Sequence, residues 1–290
     1  MRVHAVEWQP SAPRISSRRV LLVHGLGAST LSWFPVAPLL ADRLQATVTA
    51  IDLIGFGRTR ATARPATIAN NRELVISFLE MTGPATIFGN SMGGVIAAGV
   101  AARRPDLVEA LVLVDPALTW RGVGARDWRR VARFVPVMMP SVGHRAVATR
   151  ARALGPDRLV DLSLALSLHD PTRLDPVLRR RLIHLAAERF AYPEAPQAYA
   201  DAARSLLREL SDGADTDLGI ASSTRRTLLV HGAEDRLVTV DLARAAAERH
   251  DGIELRILDD LGHAPQLEDP AAFVEVTASW LTPVATPHSA

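Results

Sequence analysis

Short uninterrupted apolar runs alternate along this chain with stretches in which apolar residues recur every three or four positions. Val20–Val23, Val48–Ile51, Thr86–Phe88 and Leu111–Val114 are runs of the first kind, set between glycine turns and helical stretches. Such runs predict buried strands of a parallel sheet covered on both faces. The pattern resumes after residue 219, where Thr227–Val230 and Glu254–Leu258 predict strands and Asp241–His250 and Pro270–Leu281 predict helices. Between 118 and 218 the strand signal fades. Asp127–Phe134, Asp157–Leu168, Asp175–Phe190 and Pro196–Leu210 place apolar residues at helical spacing with arginines between them. Pro136, Pro140, Gly143, Pro171, Pro176, Pro193 and Gly213 punctuate this region. The expectation is one α/β domain over residues 1–117 and 219–290, interrupted by an all-helical insertion over 118–218. There is no internal repeat, and the only low-complexity tract is the tail Thr282–Ala290.

Composition narrows the chemistry. The 290 residues are 48% hydrophobic and 22% charged, which marks a folded globular chain rather than a disordered one. There is no cysteine, which removes disulfides, thiol nucleophiles, iron–sulfur clusters and cysteine zinc sites. There is no lysine either, so all 33 basic residues are arginine and Schiff-base chemistry and the lysine P-loop are excluded. Against 31 acidic residues the formal net charge is only +2, which gives no reason to expect a nucleic-acid or anionic-membrane partner. The N-terminal stretch Met1–Glu7 lacks the apolar segment of a signal peptide. The longest apolar run, Val95–Ala102 with its Gly99, is far short of the ~20 residues that span a bilayer. A soluble, cytoplasmic protein without a membrane span is expected, and the sequence is silent on oligomeric state.

The sharpest motif is Gly89-Asn90-Ser91-Met92-Gly93-Gly94, between the strand Thr86–Phe88 and the alanine-rich helical stretch Val95–Arg103. This is G-x-S-x-G in the strand–turn–helix context that presents a serine nucleophile above a sheet. A serine hydroxyl needs a base, and the base an orienting acid. Of nine histidines, His263 stands in Leu261-Gly262-His263-Ala264-Pro265, just past the last strand, on the loop edge that also presents Ser91. The acid should leave the same edge. Asp235 follows the strand Thr227–Val230, Glu234 is adjacent, and Asp115 after Leu111–Val114 is a competitor. Asp235 is preferred because it gives the chain order Ser…Asp…His. His24-Gly25-Leu26-Gly27 follows Val20–Val23 as a tight turn, so the backbone N–H groups of Leu26 and Met92 are the expected oxyanion donors, with His24 a structural residue.

Taken together, His24–Gly27, Asp52-Leu53-Ile54-Gly55-Phe56-Gly57, Gly89–Gly94, His231–Asp235 and Gly262–Pro265 resemble, in order and over nearly the whole chain, an α/β-hydrolase of the esterase/lipase-like superfamily. The resemblance implies a mostly parallel, doubly wound sheet of the α/β-hydrolase type. It also implies Ser91 as nucleophile, His263 as base, Asp235 as acid, a helical cap over 118–218, and no metal or organic cofactor. Serine at the elbow argues against the related haloalkane dehalogenases and epoxide hydrolases, which carry aspartate there. It leaves hydrolysis of a small-molecule carboxylic ester with an apolar acyl part, for which Trp33, Phe34, Phe134, Val137, Met138 and Met139 are candidate pocket residues. The elbow also resembles that of C–C bond hydrolases acting on vinylogous diketones, and His169–Asp175 through Arg179–Arg181 resembles their cap arginine region. Those enzymes carry tryptophan after the catalytic histidine, where this chain has Ala264. A non-catalytic ligand receptor on the same fold is the third reading.

Overall fold

The computed structural model describes residues 2–12, 17–119 and 143–282. Seven strands form one sheet: β1 Ala5–Trp8, β2 Arg19–Val23, β3 Thr47–Ile51, β4 Ala85–Asn90, β5 Val108–Val114, β6 Thr227–Gly232 and β7 Ile253–Leu258. Their spatial order is β1-β3-β2-β4-β5-β6-β7. Every pairing is parallel except β1 on β3, with Ala5 opposite Ile51. The six parallel strands are those the apolar runs predict, each extended by one to three residues. β1 escapes the pattern because it is an edge strand whose residues alternate only between exposed and half-buried.

Because side chains alternate across a strand, each run feeds two cores. Leu21, Val23, Ile51, Ile87, Leu111, Leu113 and Leu229 pack toward the helices Ile68–Thr82 and Met92–Arg103. Val20, Leu22, Val48, Ala50, Phe88, Val112, Leu228 and Val230 pack toward Ala37–Leu44 and Pro270–Leu281 on the other face. The sheet is thus doubly wound. The Met92–Arg103 helix is buried along almost its whole length, as its Gly and Ala content permits.

Between β5 and β6 the described chain is helical: Gly143–Ser167, Pro176–Arg189, Ala195–Asp212 and Ala214–Thr224. The first is broken at Gly155 (φ 72°, ψ 170°), ahead of Pro156, so its second half is the predicted Asp157–Leu168 segment. The predicted helix Asp127–Phe134 lies outside the described residues. The helix Ala214–Thr224 has no counterpart in the sequence pattern. It packs on the Met92–Arg103 helix, where Asp217 pairs with Arg103 at 2.8 Å, and the expected boundary at 218 falls inside it. Among the described residues no helix is long and apolar enough to cross a membrane.

The helix Pro176–Arg189 is fixed to the turn after β3. Arg189 donates through Nη1 to Gly57 O (2.8 Å) and through Nη2 to Gly55 O (2.6 Å). Next to it, exposed Arg58 pairs with Glu188 at 3.0 Å. Arg189→Gln should cost about 1–3 kcal/mol by orphaning two carbonyls, and Arg58→Gln less than about 1 kcal/mol. Urea midpoints of the two variants check this, and equal costs would contradict the anchoring role of Arg189.

Candidate active site

Ser91 sits at the carboxyl end of β4 with φ 55° and ψ −117°, a left-handed conformation costly for a side-chain-bearing residue. The glycines around it are a steric requirement. A Cβ on Gly89 would stand 2.5 Å from Gly93 O, and one on Gly93 would stand 2.3 Å from Val23 O. Ser91 N–H donates to Val114 O at 3.0 Å, which ties the turn to the end of β5. The helix that follows points its free N-terminal amides at the same place.

His263 lies past β7 and is buried. Its Nδ1–H donates to Asp235 Oδ2 at 2.6 Å, which fixes the tautomer and leaves Nε2 as the free lone pair. The other oxygen of Asp235 accepts from the N–H groups of Leu237 (2.7 Å) and Val238 (3.0 Å). Burial works to raise the Asp235 pKa. The His263 ring and its hydrogen bond, with His231 and the Val238 amide, outweigh burial and hold the carboxyl below its ordinary value. Of the carboxylates the sequence leaves open, Asp235 is the one that bonds the His263 ring. Glu234 is exposed, and Asp115 instead accepts from Gly232 N–H at 2.9 Å.

Ser91 and His263 are joined indirectly. Asn90 Nδ2 donates to Val114 O (3.0 Å) and to His263 O (3.1 Å), so the residue before the serine holds the histidine loop. Among the described residues no hydrogen bond links Ser91 to the His263 ring, whose bond runs to Asp235. A Cβ on Gly25 would touch Ser91 Cβ at 3.0 Å, which puts the turn after β2 against the serine side chain. Among the described residues the N–H groups of Leu26 and Met92 donate to no backbone or side-chain acceptor. His24 orders this turn: its Nε2 accepts from Leu53 N–H at 3.0 Å and its Nδ1–H donates to Gly25 O at 2.8 Å. Burial pushes the His24 pKa down, so it serves as a neutral strut. Asp52 closes the neighbouring turn by accepting from Thr30 N–H (2.7 Å) and Arg58 N–H (2.8 Å).

The expected pocket residues divide. Trp33 is corrected: it is 0% exposed and packs with Val20, Leu22 and Leu40 in the core beneath the sheet, because its short helix turns it inward. Phe34 faces the helical region. With Leu31, Val177, Arg58, Arg180, Arg181 and His184 it lines a cavity of about 460 Å³, and Arg181 lies over its ring at 5.8 Å. Phe134, Val137, Met138 and Met139 lie outside the described residues. Two residues escape sequence reasoning altogether. Tyr199 approaches Gly27 so closely that a Cβ there would stand 3.2 Å from its ring. Glu268 is buried and bonds two backbone amides, Gly262 N–H at 2.6 Å and Asp170 N–H at 2.8 Å. Its only sequence signal is an acid at the end of the apolar stretch Ala264–Leu267.

Comparison with known proteins agrees with the fold. A model of the alpha/beta hydrolase family matches residues 20–276. Lipase LipV of Mycobacterium tuberculosis is 29% identical over 97% of this chain and 98% of its own length. A 2-hydroxy-6-oxo-6-(2'-aminophenyl)hexa-2,4-dienoic acid hydrolase of Metapseudomonas resinovorans is 28% identical over 91% of this chain and 83% of its own. A thermophilic esterase of Thermogutta terrifontis superimposes with a TM-score of 0.69 at 22% identity, over 96% of this chain and 92% of that one.

Glu268 yields a prediction independent of any activity. In Glu268→Gln the amide nitrogen cannot accept, so either Gly262 or Asp170 loses its partner in a buried setting. A loss of about 1–3 kcal/mol is expected, with faster amide hydrogen exchange at the affected position. Unchanged exchange at both would refute the bridging role.

Proposed function

The chain belongs to the alpha/beta hydrolase family, and from that premise we propose that it is a serine hydrolase of carboxylic esters with an apolar acyl part. The observation that carries this reading is the His263 Nδ1–Asp235 Oδ2 bond of 2.6 Å at the sheet edge where the strained Ser91 turn also ends. In this reading Ser91 Oγ attacks the ester carbonyl and passes its proton to His263 Nε2. The imidazolium that forms is stabilised by Asp235. The amides of Leu26 and Met92 receive the carbonyl oxygen as it becomes an oxyanion. His263 returns the proton to the leaving alcohol, then takes one from water, whose oxygen attacks the acyl-Ser91 ester; as the acid is released, His263 gives that proton back to Ser91 Oγ. Residues 118–218 act as the cap over this site. Leu31, Leu164, Leu168, Leu174, Leu178, Leu185, Ala264 and Leu267 form one apolar cluster, which supports an apolar acyl slot between the cap helices and the histidine loop.

A second reading has one observation in its favour. Arg180, Arg181 and His184 line the same cavity as Phe34 and form no ion pair among the described residues. Such a lining would suit a substrate with a terminal carboxylate, like the dienoic acid in the name of the Metapseudomonas relative, and C–C bond hydrolysis is the reading it favours. Ala264 after the histidine still weighs against it.

The test is hydrolysis of a p-nitrophenyl ester series from acetate to long chains, with Ser91→Ala as control. Rates should rise with chain length and fall by about 10⁴–10⁶-fold in Ser91→Ala, which should fold normally. Asp235→Asn should lose on the order of 10²–10⁴-fold. Near-wild-type turnover in Ser91→Ala would refute the assignment. No turnover across the series, with Ser91 still labelled by a fluorophosphonate, would move the reading to ring-fission diketones.

A further inference from the structure

Behind Asp235 lies a second carboxyl that the mechanism above does not use. Asp115 directly follows β5, is 0% exposed and has φ 42°. Its N–H donates to Val230 O at 2.9 Å, so the β5–β6 register fixes where the side chain starts. Its Oδ1 accepts from Gly232 N–H at 2.9 Å, while its Oδ2 is buried without any donor. Oxygen and nitrogen atoms of Asp115, His231 and Asp235 all lie within 4.8 Å of one another.

A buried, ionised oxygen with no donor is costly, and here a donor has to come from the carboxyl itself. Resting on the reading of Asp235 and His263 as the acid–base pair, we infer that Asp115 is a positioning residue. It holds one proton on its carboxyl and donates it to the Asp235 carboxylate, so the two acids carry a single negative charge between them. The surrounding charges agree. The groups facing Asp115 are Asp235 from the loop after β6, Glu268 from the turn after His263, and His231 from β6 at 3.7 Å. The first two are acids. His231 donates its Nε2–H to Val238 O at 3.0 Å, and burial pushes its pKa down, so it brings no positive charge. Burial first, then the Asp235 charge, push the Asp115 carboxyl well above its ordinary range. A metal ion fits the cluster less well than a proton. The His231 Nε2 lone pair is replaced by the N–H that Val238 takes, and Asp235 Oδ2 is held by His263.

The role follows from what Asp235 must do. With two amides on one oxygen, His263 on the other and Asp115 as a further donor, its plane is fixed and its charge is delocalised over four hydrogen bonds. That orients the His263 ring through Asp235.

Three variants and three readouts test this on the intact protein. The infrared spectrum at pH 7 should hold a protonated-carboxyl carbonyl band that Asp115→Asn removes. Stability gives the second readout. With the folded pKa raised, the folded state keeps a proton the unfolded chain releases, so this group's contribution falls as pH rises above the ordinary aspartate value of about 3.9. The melting temperature of Asp115→Asn relative to wild type should therefore climb from pH 4 to pH 7. The third readout is the rate at which a fluorophosphonate labels Ser91, as a function of pH. Asp115→Ala should label about 10-fold more slowly with a displaced acid limb, and Asp115→Asn, which keeps a donor, should restore both. Overturning results are a missing band, or an acid limb in Asp115→Asn lowered by about one pH unit, which would show that a charge had been removed. Equal, wild-type labelling of the Asn and Ala variants would overturn the positioning role. A band present in a wild-type protein that the probe never labels would refute the serine reading while supporting the shared proton. Asp235→Asn, labelled slowly but folded, separates loss of the acid from loss of its partner.

Discussion

Between β4 and the helix that follows, the chain reverses within one residue, and the backbone of that turn lies against β2. A Cβ at Gly93 would stand 2.3 Å from Val23 O, and one at Gly25 would stand 3.0 Å from Ser91 Cβ. The turn after β2, the Ser91 turn and the start of the Met92–Arg103 helix are therefore one packed unit. Everything else at the sheet edge is arranged around it. The end of β5 receives the Ser91 amide through Val114 O, and Asn90 reaches from the same strand to His263 O at 3.1 Å. The left-handed geometry of Ser91 is sustained because neighbours on three sides leave it no alternative.

Much of this was legible in the sequence because glycines and strand ends report local backbone needs. The elbow motif, the Gly25 turn and the loop of His263 each announce themselves within a few residues. The six parallel strands were legible for the same reason, as each must be apolar on both faces. What stayed hidden depends on contacts between distant segments. The edge strand β1 has no buried face to give it a pattern. The helix Ala214–Thr224 is held by tertiary packing and the Asp217–Arg103 pair, neither of which leaves a periodic trace. Trp33 was expected in a pocket because it adjoins Phe34. A short helix sends neighbouring side chains in different directions, and Trp33 enters the core. Glu268 and Tyr199 act on loops reached only through the fold.

Polar struts, more than apolar packing, set the shape of the loop edge. Asp52 organises one turn by accepting two amides, His24 joins that turn to the one after β2, and Asp235 organises its own loop before it meets His263. In each case a buried acceptor takes backbone N–H groups that the irregular chain would otherwise leave unpaired. The same chemistry at Asp235 serves two ends. The amides of Leu237 and Val238 stabilise its charge, so it can hold the His263 tautomer without being protonated itself.

The helical region is coupled to the site through the histidine loop. A Cβ on Gly262 would stand 2.6 Å from His169 N, and Glu268 bonds Gly262 on one oxygen and Asp170 on the other. The segment 167–170 therefore rests directly on the residue before His263. The apolar cluster of Leu164, Leu168, Ala264 and Leu267 continues that contact on the other side. A rigid displacement of these helices would have to break a buried carboxylate's bond to the histidine loop or drag the loop along. At the far end, Arg189 and the Arg58–Glu188 and Arg60–Glu194 pairs fix the helix Pro176–Arg189 and the residues after it to the turn ordered by Asp52. The described helices are thus tied to the sheet edge at two places, the histidine loop and the turn after β3, and the cavity bordered by Phe34, Val177 and Arg181 lies along the helix Pro176–Arg189.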